Sequence, residues 1–324
     1  MILMTKRLAL PLTAVLALSA CAGSPADSPG GDHGEAGPRV VAAFYPLEWA
    51  SSQALGTLGA VDTLTAPGAE AHDLELTPRQ IASLAEADLV VYLKGFQPAV
   101  DNAIEQSGAD RVLDVGELVS LLPADGAHHD HGDEAGHDEE EHSVDDGHDH
   151  GAFDPHFWQD PERMSQVVEA LADELAAIDP ANADAFAAAA LAAAGDLTAL
   201  DEEFAVGLEQ CARREFITTH TSFGYLADRY DLTEIGIAGL NPDDEPSPAR
   251  IAAIHEEATA HGITTIFFET LTSDAVAKAI AGDLGLHTAV LDPLEGITEQ
   301  SPGQDYPAIM RANLEALRSA NDCA

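Results

Sequence analysis

Val40-Val41-Ala42-Ala43-Phe44 is apolar at every position and reads as a buried strand. Ile217-Thr218-Thr219-His220 stands where Val41-Ala42-Ala43-Phe44 stood, 176 positions later, 41 against 217. Three further pairs keep nearly the same offset. Ser247-Pro248-Ala249-Arg250-Ile251-Ala252 echoes Thr77-Pro78-Arg79-Gln80-Ile81-Ala82. Thr264-Thr265-Ile266-Phe267-Phe268 echoes Asp88-Leu89-Val90-Val91-Tyr92, and Thr288-Ala289-Val290-Leu291-Asp292 echoes Arg111-Val112-Leu113-Asp114-Val115. Repetition of four elements in one order predicts two homologous lobes. Apolar runs alternating with helical segments predict an α/β fold, each lobe a parallel sheet flanked by helices.

Between the repeats lies a helical region, residues 161–208. Pro161 opens one helix, and Asp179-Pro180 opens a second that runs through the Ala-rich stretch to about Leu208. At ~1.5 Å per residue such a helix is about 42 Å long. It is expected to join the lobes as one long rigid connector. The lobes themselves are expected over 39–160 and 209–324.

Outward from this frame the chain changes character. Lys6 and Arg7 precede the apolar run Leu8 to Leu18, which is too short to span a bilayer and matches a secretory signal over 1–20. No other segment reads as long and apolar enough to cross a membrane. Leu18-Ser19-Ala20-Cys21 resembles a bacterial lipobox, which makes Cys21 the expected lipidation site; an ordinary cleaved signal is the alternative. Residues 21–38 read as a flexible tether. Residues 125–150 hold seven His (His128, His129, His131, His137, His142, His148 and His150) and eleven acidic residues, with no Lys or Arg. That composition predicts a disordered loop able to take up metal weakly. In an exported protein, Cys211 and Cys323 are expected to form one disulfide.

The chain carries 14 Lys+Arg against 57 Asp+Glu, a formal net charge of −43. Such a surface repels phosphate backbones and attracts cations, so nucleic acid is not an expected partner. No glycine-rich phosphate loop and no Gly-x-Ser-x-Gly elbow is present. His255 and His261 are six apart, so they do not share a helical face as a zincin pair must.

Four residues stand out. His72 lies in the loop Pro67-Gly68-Ala69-Glu70-Ala71-His72-Asp73-Leu74-Glu75-Leu76, and His156 in Asp154-Pro155-His156-Phe157-Trp158-Gln159-Asp160-Pro161. His220 and Asp292 end strands, where open parallel sheets gather their ligands. These blocks, with His220-x-x-Phe223-x-Tyr225 and the Phe268-Glu269 strand end, resemble the cluster A-I solute-binding proteins of zinc and manganese ABC transporters. Leu74 and Gln159 depart from that family's usual aromatic and apolar residues. The resemblance extends from Arg39 to the end. It implies that His72, His156, His220 and Asp292 hold one metal ion between the lobes. It also implies a monomer that serves an ABC permease and its ATPase, on the periplasmic or cell-surface side of the membrane. Asp292 could instead cap the turn at Pro293, with water, Glu70 or Glu269 completing the shell; Glu269 could also orient a His.

Three imidazoles and one carboxylate suit four-coordinate Zn²⁺ as cargo, at about 2.0–2.2 Å. Manganese prefers more oxygen and is the alternative metal. An exported zinc hydrolase or an adhesin are the readings from other classes; the sequence has no feature specific to the second.

Overall fold

The computed structural model describes residues 37–124 and 153–324. The expectations for the signal, Cys21, the tether up to residue 36 and the seven His of residues 125–150 lie outside the described residues. The first half runs β1 (Arg39–Ala42), α1 (Tyr45–Leu55), β2 (Ala60–Thr63), α2 (Pro78–Glu86), β3 (Leu89–Tyr92), α3 (Pro98–Ser107) and β4 (Val112–Asp114). Its sheet has the order β2-β1-β3-β4, all parallel. After α4 (Pro161–Ile178) and α5 (Ala183–Leu208) comes the second half. It runs β5 (Glu215–Thr218), α6 (Gly224–Arg229), β6 (Thr233–Gly236), α7 (Pro248–Ala260), β7 (Thr265–Phe268), α8 (Ala275–Leu284), β8 (His287–Val290) and α9 (Tyr306–Asn321). Its sheet repeats the same order as β6-β5-β7-β8, again parallel.

Local chemistry explains the elements. Val40, Val41 and Ala42 are fully buried, as a central parallel strand covered on both faces requires. Thr77 and Gln80 form a reciprocal capping box at the start of α2, and Ser247 caps the equivalent α7 through Arg250 N–H. Asp160 caps α4, whose first residue is Pro161. The edge strands β2 and β6 were not foreseen. In β2 the sequence Ala-Val-Asp-Thr alternates exposed and half-buried positions, so it lacks the apolar run that marks its neighbour.

A 3₁₀ turn over Pro180–Asn182 precedes α5, so this helix begins three residues later than its Pro suggests. By length and composition Pro180–Leu208 could cross a membrane, which corrects the reading that no segment past the N-terminus could. In the fold its stripe Phe186, Ala190, Ala193, Leu197, Leu200, Phe204 and Leu208 is buried instead. The helix packs along α4 and touches both α1 and α9. Cys211, just beyond α5, is disulfide-bonded to Cys323 at the chain end.

One apolar cluster runs from β1 through α4 and α5 to α9, so the two halves share a core. Trp49 of the first half stacks on Tyr306 of the second, with ring centres 4.6 Å apart. Tyr306 donates its hydroxyl to Trp158 O at 2.7 Å, and Tyr225 donates to Asp154 O at 2.6 Å. These bonds pin the residues flanking His156 to the second half.

Candidate metal centre

His72 follows β2 in the loop that leads to α2. His156 precedes the 3₁₀ turn Phe157–Gln159, and His220 lies two residues beyond β5. The fold brings these three together with Glu295, which follows β8. One ligand atom from each lies within 4.8 Å of all the others. Glu295 Oε1 is 3.3 Å from His72 Nε2, and 3.2 Å from the Nε2 of both His156 and His220. All four residues are buried: His156 and His220 are 0% exposed, Glu295 1% and His72 6%.

Each ring is aimed by its surroundings. Asp154 Oδ1 lies 2.7 Å from His156 Nδ1 and also accepts the backbone N–H of His156. Glu269 Oε1 lies 2.5 Å from His220 Nδ1 and accepts the Thr219 hydroxyl. A carboxylate on Nδ1 favours the tautomer with its proton there, leaving the Nε2 lone pair for a metal. His72 meets the ring of Phe96 edge-on at 4.8 Å. Glu234, buried in β6, accepts from the Thr218 hydroxyl and from the Ser222 and Phe223 N–H groups at 2.8–3.0 Å. It thereby braces the turn that presents His220.

Asp292, expected beside the three histidines, is not part of this cluster. Its Oδ1 accepts Leu294 N–H and its Oδ2 accepts the Thr270 hydroxyl, each at 2.9 Å. Both oxygens are thus engaged elsewhere, and Glu295, three residues on, supplies the carboxylate of the cluster. Glu295 Oε2 is buried with no hydrogen-bond partner among the described residues, an acceptor suited to a cation. Glu269 sits behind His220. Glu70 Oε2 accepts Asp73 N–H and so shapes the His72 loop. Asp292-Pro293 reads as a strand end. The acidic side chain just past that turn was the available signal for Glu295.

Burial alone would lower the pKa of His156, but Asp154 and Glu295 push it up to about 9. His220 is raised well above its ordinary value; burial opposes this, and Glu269 and Glu295 outweigh it. Burial would raise Glu295, yet the three imidazoles hold it well below the usual carboxylate range. Three imidazole nitrogens and one carboxylate at a buried point form a site suited to a metal ion, and the donor set matches Zn²⁺.

The family model described as zinc-uptake complex component A, periplasmic, matches residues 40–320. A zinc-binding protein AdcA of Streptococcus pyogenes serotype M3 is 37% identical over 290 residues, covering 88% of this chain. The chain spans only 56% of the length of that relative. The high-affinity zinc uptake system protein ZnuA of Bacillus subtilis is 34% identical, covering 87% of this chain and 86% of its own. The crystal structure of Zn(II)-bound AdcA from Streptococcus pneumoniae superposes with a TM-score of 0.72 at 31% identity, over 88% of this chain and 58% of that one.

Proposed function

This chain belongs to the zinc-uptake complex component A family, a family of metal-binding transport components, and from that premise we propose that it captures Zn²⁺ outside the cytoplasmic membrane for import. The observation that carries this reading is the convergence of three His Nε2 atoms and Glu295 Oε1 on one buried point. The donors come from both halves: His72 and His156 from the segment 39–160, His220 and Glu295 from 209–324. Two lobes joined through the helices of 161–208 is the organisation we infer. Bound metal then ties the lobes together and stabilises the loaded form.

Imidazole-rich ligation favours Zn²⁺ over Mn²⁺, which prefers more oxygen. Four protein ligands leave no open position for a catalytic water, so the role is capture and release rather than hydrolysis. Lipidated Cys21 holds the protein at the outer face of the membrane, as a monomer. An ABC permease and its ATPase receive the metal, and the His-rich segment 125–150 collects zinc weakly in addition to the main site.

The test is zinc accumulation by cells grown under a chelator. Cells producing the chain should accumulate zinc, and cells producing His220→Ala should behave like cells lacking it. Equal accumulation with the intact and substituted chains would count against the proposal.

A further inference from the structure

Glu295 lies on an irregular loop after β8, so something other than regular structure must hold it. Part of the hold comes from its own half. Asn313 accepts Asp292 N–H and donates to Asp292 O, at 2.9 and 2.7 Å. Asp292 in turn grips Leu294 N–H. Leu294 is buried at φ 64°, a left-handed conformation that a leucine adopts only when its surroundings impose it.

The remaining hold comes from the other half. The carbonyl of Pro293 accepts two donors, Trp158 Nε1–H at 2.7 Å and Gln159 Nε2–H at 2.5 Å. Both side chains are 0% exposed. Gln159 and Trp158 belong to the 3₁₀ turn that directly follows His156. The amide atom facing a carbonyl must be the nitrogen, because a carbonyl only accepts. This orientation leaves Gln159 Oε1 buried with no partner among the described residues. An apolar side chain would fill the same space without that unpaired acceptor, so what Gln159 adds is its donor.

We propose that Gln159, with Trp158, is a positioning residue for Glu295. By fixing the Pro293 carbonyl it sets the turn that delivers the Glu295 carboxylate to the Nε2 atoms of the three histidines. It also couples the placement of His156 in one half to that of Glu295 in the other. The inference rests on the metal-site reading above.

The experiment is a double-mutant cycle on the full chain. Zn²⁺ affinity is measured against a competing chelator for Gln159→Met, Glu295→Ala and the pair. The visible spectrum of the Co²⁺-loaded proteins is recorded alongside, because it reports the ligand set. Glu295→Ala should weaken zinc, and Gln159→Met should weaken it about tenfold. The pair should bind no more weakly than Glu295→Ala alone. The Co²⁺ spectrum of Gln159→Met should move toward that of Glu295→Ala. Parent-like affinity and spectrum in Gln159→Met would overturn the proposal. So would an equal loss with and without Glu295. Unchanged affinity in Glu295→Ala would sink the metal-site reading itself. Should Gln159→Met not fold, Trp158→Phe removes the other donor and keeps a ring; the same cycle is then expected, and a loss independent of Glu295 overturns the proposal.

Discussion

His156 Nε2 and Glu295 Oε1, 139 positions apart in the sequence and in opposite halves of the fold, meet at 3.2 Å. The contact is buried and is repeated by His72 and His220 on the same oxygen. Glu295 is therefore the common point of the cluster.

That position sets Glu295 apart from Asp292. Glu295→Gln should weaken zinc by more than the ~10–100-fold that loss of an outer partner costs, because a ligating charge is lost. Asp292→Asn keeps an oxygen for Leu294 N–H. It should lower thermal stability by about 1 kcal/mol, with zinc affinity largely kept. Competition titration and thermal melts of both variants check this. Loss of zinc in Asp292→Asn with affinity retained in Glu295→Gln would reverse the assignment.

Glu269 lies 2.5 Å from His220 Nδ1, and on the proposed reading it orients that ring. Glu269→Gln leaves an acceptor for Nδ1–H but removes the charge that makes the ring more basic. Zinc should bind about tenfold more weakly, with one ion still bound at saturation. Metal analysis of the saturated protein, with the titration, distinguishes this from loss of the site.

Zinc and protons should compete. The metal-free pKa of His156 is about 9, against an ordinary value of 6.5, so at pH 7 the ring holds a proton that zinc must displace. Apparent affinity should rise as pH increases from 7 to 9. Stability of the metal-free protein should show the opposite trend. The His156 contribution is fully present below about 6.5, the unfolded value, and is lost as pH rises through about 9. Calorimetry at pH 7 in buffers of different ionisation heat should detect proton release on zinc binding. Binding without proton release would contradict the charge assignment.

The Cys211–Cys323 bridge closes a segment with a sequence separation of 112. Replacing both cysteines with serine should cost about 2–4 kcal/mol of stability. Neither cysteine touches a ligand in the described bonds, so zinc affinity should hold. Denaturant unfolding of the parent and the double variant, with zinc titration, tests both parts.

The doubled α/β architecture was legible because strands covered on both faces carry short apolar runs. Val40 to Ala42 and Ile266 to Phe268 carry that signal. Edge strand β2, with Asp62 and Thr63 half turned to solvent, does not. His220 stood out because it ends a strand, where such sheets collect ligands, and His72 and His156 because their loop blocks resemble those of a metal-binding family. Glu295 did not, because no periodicity governs an irregular loop. Whether Asp292 or Glu295 points inward is decided by the Asp292–Leu294 turn and the left-handed Leu294. The seam between the halves was hidden for a related reason. Trp158, Gln159, Tyr225 and Tyr306 bond to backbone carbonyls far away in the chain, and a carbonyl leaves no trace in the sequence.

The most direct test of the interlobe site is a zinc titration, against a tight chelator, of the chain with residues 125–150 removed. One tightly bound zinc per chain, lost on His220→Ala, is the predicted result. Tight binding that disappears with the His-rich segment and is indifferent to His220 would contradict the account.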